Sequence, residues 1–245
     1  MGKLHIISHD HMIFTNRQQA ADCLADLLLA YRGGDTIVVG ISRGGVILAD
    51  HIAEKLGADM DVAVCQKIHL KGYQGPVVGA VAEDADMVLN PETLSRFQPS
   101  RTELEQQMFL ASVYMRIQRD RYRDIRPPAP LQGRTVILVD DGMTTGITMT
   151  AALRYIQARQ PTRVVVAVPL GPEDRVGRLS EFCDELLCYS VPVAFSDIAD
   201  YYRQFPVVND ARVLAALKRH FDCDLLEGTS VREDDGDTAP WVNRM

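Results

Sequence analysis

The chain has 245 residues and a mass of 27.2 kDa, with 33 acidic against 26 basic side chains and a formal net charge of −7. That acidity argues against a general nucleic-acid binder, which needs a basic face to displace counterions, but it leaves room for one small polyanion. No run approaches the ~20 apolar residues of a membrane span, and MGKLHIISHDHM lacks the basic flank and apolar core of a signal peptide, so no membrane partner is expected and the cytoplasm is the expected compartment.

In chain order, His9 and His11 flank Asp10 in a segment read as a solvated terminus rather than a metal site. Thr15 or Asn16 can cap a helix over RQQAADCLADLLLAYR, where Ala21, Leu24 and Leu28 recur at helical spacing and Gly33–Gly34 stop it. TIVVG, residues 36 to 40, is a short β-branched run. ISRGG links it to a helical pattern, VILADHIAEKLG, and DVAVCQK, residues 61 to 67, reads as one further buried strand. Strand, glycine-rich turn, helix, strand is a βαβ unit, with parallel pairing and a right-handed crossover.

From Ile68 to Asn90 the pattern loosens. HLKGYQGP is expected to be a mobile excursion and VVGAVAE a hairpin arm. Residues 101 to 124 read as a long helix with Leu104, Met108, Ala111 and Met115 on one face, ended by RPPAPLQG. The arginines along it are read as a solvated charged face. A second βαβ unit follows: TVILVD, DGMTTG, the helix ITMTAALRYIQARQ and the strand RVVVAVPL; ELLCYSVPV, residues 185 to 193, is the expected last core strand. Residues 227 to 245, with five acids and two arginines, read as a flexible tail behind a single domain over residues 1 to 226. Five cysteines with no C-x-x-C pair are read as reduced packing residues.

The segment that carries chemistry is VILVDDGMTTGIT, residues 136 to 148. Four apolar residues build a strand buried on both faces, and Asp140 and Asp141 emerge at its carboxyl edge, where ligands of open α/β sheets bind. Gly142, Thr144, Thr145, Gly146 and Thr148 then turn into a helix, whose free backbone N–H groups and dipole suit a phosphate. Two adjacent carboxylates repel unless a diol, a cation or donors compensate, so carboxylates beside phosphate donors point to a sugar phosphate.

These 13 residues resemble the phosphoribosyl pyrophosphate (PRPP) signature of the type I phosphoribosyltransferases. VVGISRGGVILAD, residues 38 to 50, is similar to that family's pyrophosphate loop, and the likeness extends over roughly residues 15 to 220, closest to a little-characterised branch of the family. The resemblance implies an α/β fold, a mostly parallel central sheet with flanking helices, a mobile loop and a small C-terminal flap. It implies pyrophosphate on Ser42, Arg43, Gly44 and Gly45, and the 5-phosphate on Thr144, Thr145, Gly146, Ile147 and Thr148. The ribose hydroxyls would lie on Asp140 and Asp141, directly or through a magnesium ion, and Lys67 at a strand end would be a further pyrophosphate contact. A loop at His69 to Pro76, with Lys71 and Tyr73 between the hinge glycines Gly72 and Gly75, would close over the centre. Phe195, with Asp200 after it, sits where relatives stack the acceptor base.

The implied activity is magnesium-dependent transfer of the 5-phosphoribosyl group from PRPP to a nitrogenous base or amine, with release of pyrophosphate. A non-enzymatic PRPP- or nucleotide-binding regulator on the same fold stays open, as does a homodimer. In the hypoxanthine–guanine branch an aspartate stands where this chain has Thr144; a threonine hydroxyl is no general base near neutral pH, so that mechanism does not carry over.

Overall fold

The computed structural model describes residues 2–71, 75–84 and 87–228. Nine strands and seven α-helices are present among them. Strands β1 (Lys3–Ser8), β2 (Thr36–Ile41), β3 (Asp59–Ala63), β7 (Thr135–Val139), β8 (Arg163–Leu170) and β9 (Glu185–Ser190) form one sheet in the order β1-β9-β8-β7-β2-β3, with every neighbouring pair parallel. Strands β4 (Cys65–His69), β5 (Val77–Ala82) and β6 (Val88–Leu89) form a small antiparallel sheet.

The apolar runs predicted from the sequence are the central strands, and they are buried on both faces. Val38, Ile137 and Val165 face a cluster built with α1 (Arg17–Leu27), α2 (Gly44–Leu56) and α7 (Asp210–Gly228). Ile37, Val39, Val136 and Leu138 face the opposite cluster with α5 (Ile147–Gln157) and α6 (Glu173–Leu179). Two further helices, α3 (Pro91–Phe97) and α4 (Arg101–Arg123), separate the two βαβ units in sequence. Asn16 caps α1, its carboxamide oxygen accepting from the Gln19 N–H at 3.0 Å. Among the described residues no helix is long and apolar enough to cross a membrane.

One strand escapes the sequence pattern, and two expectations need correction. His9, Asp10 and His11 are exposed, as expected, but residues 3 to 8 before them are strand β1, paired with β9 at the sheet edge; its mostly exposed residues give it no apolar run to betray it. The run 61 to 67 is two strands, for the chain turns at Val64 out of the parallel sheet into the antiparallel one. Between Ile68 and Asn90, where a mobile excursion is expected, VVGAVAE is the expected hairpin arm, β5, paired antiparallel with β4, and β6 pairs with β5 in turn. Gly72 and Tyr73 of the expected closing loop lie outside the described residues, as does the tail beyond Gly228.

The sheet order positions the site. From β2 the chain proceeds to β3 on one side, whereas β7 proceeds to β8 and β9 on the other, so the direction of winding reverses between β2 and β7. These strands are direct neighbours, with Gly40 opposite Val139. A crevice opens at the carboxyl ends of strands at such a reversal, here between the loops at 42–45 and 140–146.

Candidate active site

A cavity of about 330 Å³ occupies that crevice. Ser42, Arg43, Gly44, Lys67, Asp140, Asp141 and the whole loop from Gly142 to Thr148 line it, so the structure brings both predicted loops to one cavity together with Lys67, which lies in the middle of β4 and not at a strand end as expected, because the chain turns at Val64 into a new strand. Gly45 is not on the lining and packs against Val139 and Asp140.

The two loops are pressed together. A Cβ built on Gly44 would sit 1.9 Å from Asp141 Oδ2, and one on Gly45 would sit 2.5 Å from the Val139 carbonyl oxygen. Only glycine permits this approach. Ser42 ties its loop to the antiparallel sheet: its hydroxyl accepts from the Cys65 N–H at 3.1 Å and faces the Cys65 carbonyl at 3.3 Å, two residues before Lys67. The Ser42–Arg43 peptide is cis.

Helices α2 and α5 both begin at the cavity, and neither N-cap residue, Arg43 or Gly146, makes a side-chain cap; at α5 the Thr145 hydroxyl accepts from the Ile147 N–H at 3.4 Å. Gly146 starts α5 in the left-handed region, φ 74°, where a side chain would be strained. Uncapped first turns present backbone donors and a positive dipole end, the arrangement that binds phosphate.

Asp140 and Asp141 differ in environment. Asp140 Oδ1 accepts from the Asp141 N–H at 2.9 Å. Burial, and then the Asp141 charge, push its pKa well above the usual carboxylate value. Asp141 instead has a buried cation: Arg17 Nε donates to its Oδ2 at 2.8 Å, with side-chain exposures of 9% and 12%. Arg17 also donates to the Pro206 carbonyl at 2.7 Å, and its guanidinium carbon lies 3.7 Å from the Phe205 ring centroid. Tyr202 closes the cluster by donating its hydroxyl to the Asp141 carbonyl at 2.8 Å. Arg17 lines the cavity, and the sequence reading missed it. Its only sequence signal is position at a helix start, while its partner lies 124 residues away.

The acceptor candidates fall elsewhere. Phe195 stacks on Tyr201 at 5.3 Å and 15°, and the Asp200 carboxylate accepts from the Ser196 hydroxyl; neither is on the cavity wall. The flap contributes Ile198, Phe205, Val207 and Val208 instead. Among the described residues no three or more His, Cys, Asp or Glu side chains converge as a metal site, and the His9–Asp10–His11 trio forms none.

A family model for the phosphoribosyl transferase domain matches residues 9–203. The chain belongs to the phosphoribosyl transferase family. It is 33% identical over 207 residues to a Mycobacterium tuberculosis protein, found in two strains, named "Putative phosphoribosyl transferase"; the match covers 84% of this chain and 47% of that protein. The chain thus spans about half the length of the curated relatives it matches. The crystal structure of TT1426 from Thermus thermophilus superimposes with a TM-score of 0.69 at 38% identity, covering 85% of this chain and 99% of that one. The family match contains both loops, the carboxylate pair and Arg17, and ends just after Tyr202, before Phe205 and Asp210.

Proposed function

We propose that this phosphoribosyl transferase family member moves the 5-phosphoribosyl group of PRPP to a nitrogenous base or small amine and releases pyrophosphate. The observation that carries the reading is the convergence, at the winding reversal, of a carboxylate pair with two uncapped helix starts. One ligand uses all three: a diol for the carboxylates and a phosphate group for each helix start.

The α5 start, with Thr144, Thr145 and Thr148, takes the 5-phosphate. Ser42, Arg43, Gly44 and Gly45, aided by Lys67, take the pyrophosphate, since glycine N–H groups can approach closely and a guanidinium grips an oxygen pair. Asp140 and Asp141 accept hydrogen bonds from the ribose hydroxyls between them. Arg17 holds Asp141 in place, and the apolar side chains Ile198, Phe205 and Val207 offer a flat acceptor its surface. The acceptor nitrogen displaces pyrophosphate at C1 with inversion, as positive charge grows on the ribose ring. The protein contributes positioning and charge stabilisation to that step.

The carboxylate pair fits magnesium as a partial ligand set. Two hard oxygen donors suit an ion that keeps much of its water shell and completes it with ligand oxygens. When bound, magnesium would neutralise charge on the leaving pyrophosphate.

Incubation with PRPP, magnesium and a panel of nitrogenous bases and amines tests the proposal. Pyrophosphate release with at least one acceptor is expected. Silence across the panel with PRPP binding intact contradicts transfer and leaves the PRPP-binding regulator.

A further inference from the structure

We infer that Asp210 is a positioning residue for pyrophosphate, turning the Arg43 guanidinium toward the cavity; this rests on the assignment of Arg43 to pyrophosphate above. Arg43 is a long side chain, 42% exposed, and its guanidinium has one ion-pair partner among the described residues: Nε lies 2.9 Å from Asp210 Oδ1. Pairing through Nε leaves both terminal nitrogens open, and these make the forked edge that matches two phosphate oxygens.

Asp210 is itself held firmly. The Tyr122 hydroxyl donates to Oδ1 at 2.8 Å, Gln118 Nε2 donates to Oδ1 at 3.4 Å, and Arg121 Nη1 lies 3.3 Å from Oδ2. Tyr122 is fully buried and Gln118 nearly so, both on α4, so the carboxylate is anchored to a rigid element. Burial works to raise its pKa, but the Tyr122 hydroxyl and the Arg43 charge outweigh burial and hold the carboxyl below the usual range. Capping does not account for this residue, because Asn209 Oδ1 accepts from the Arg212 N–H at 3.1 Å at the start of α7.

Its place in the crevice sets the role. A second cavity, about 650 Å³, lies along α4 and shares Arg43, Lys67 and Gln118 with the first, whereas Asp210 lines only the second. Asp210 therefore lies off the lining of the first cavity, which it meets through Arg43. Without it Arg43 is a solvated side chain whose rotamers must be frozen on binding, a cost that preorganisation removes.

The sign of one measurement separates this role from a bare electrostatic one. Removing a carboxylate near an anion site strengthens anion binding through the field alone, but weakens it if the carboxylate aims the cation. Calorimetric titration with inorganic pyrophosphate and separately with ribose 5-phosphate, both in magnesium, would compare wild type, Arg43→Ala, Asp210→Asn and the double variant. Asp210→Asn is expected to bind pyrophosphate about tenfold more weakly, the order found when the orienting partner of a ligating side chain is lost. Ribose 5-phosphate binding is expected to stay unchanged, and the Asp210→Asn effect is expected to vanish on the Arg43→Ala background. Unchanged or tighter pyrophosphate binding, or an effect that persists without Arg43, overturns the inference. Should Asp210→Asn not fold, Tyr122→Phe carries the same test, with a smaller loss expected in the presence of Arg43 only and unchanged affinity as the refuting result. Failure of the wild type to bind pyrophosphate, or an Arg43→Ala variant that binds it as wild type does, overturns the parent assignment and this inference together.

Discussion

Replacing Arg17 by methionine should be among the most damaging single changes in this protein, although Arg17 lies outside the apolar core. Methionine refills the aliphatic stem, so the loss is chiefly polar. Asp141 would be left as a buried, uncompensated carboxylate, and breaking a buried pair from one side costs roughly 3–5 kcal/mol. The Pro206 carbonyl would lose its donor and Phe205 its cation, but both act through the same guanidinium, so their contributions do not simply add. With a denaturant slope of about 2–3 kcal/mol/M, the urea midpoint should fall by about 1–2 M at neutral pH. Combining Arg17→Met with Asp141→Asn removes the stranded charge and should recover part of the loss. A midpoint shift worth under about 1 kcal/mol, or a double variant as unstable as the two single effects added together, would refute the reasoning.

Two further outcomes follow from the same site. Asp140 has its pKa raised by burial and by Asp141, so the folded chain binds that proton more tightly than the unfolded chain. Its contribution to stability is complete below the ordinary value of 3.8 and is lost as pH rises through the raised value. Asp140→Asn should therefore match wild type near pH 4 and exceed it near pH 8 in thermal unfolding; a variant less stable than wild type at pH 8 would contradict this. Gly44→Ala places a Cβ 1.9 Å from Asp141 Oδ2. The loops must part, which should cost about 1–3 kcal/mol and abolish PRPP binding, as thermal unfolding and titration would show.

The parts of the fold legible in the sequence were those where local chemistry is decisive. The runs at 36–41 and 135–139 are continuous apolar strands because parallel strands are covered on both faces, and the adjoining Gly44–Gly45 and Asp140–Asp141 sequences have few conformations open to them. Strand β1 was hidden because an edge strand with exposed side chains lacks that signature. The break at Val64 was hidden because the buried apolar run Val62–Cys65 continues straight across it, and only tertiary pairing assigns β3 and β4 to different sheets. Arg17 and Asp210 gain their meaning from partners more than 80 residues distant, Asp141 for one and Arg43 and Tyr122 for the other. That Phe205 and not Phe195 lines the cavity was not legible, because aromatic residues at 195, 201, 202 and 205 offer similar surfaces and the turn at Ile198–Tyr201 decides which of them meets it.

The central claim is that the carboxylate pair between two phosphate-binding loops holds PRPP. Titration of PRPP with magnesium into the wild-type protein and into Asp140→Asn/Asp141→Asn, each first shown to be folded by circular dichroism, tests it most directly. Saturable binding by the wild type and none by the double variant is predicted. A folded double variant that binds PRPP as tightly as wild type, or a wild type that does not bind it, would contradict the account.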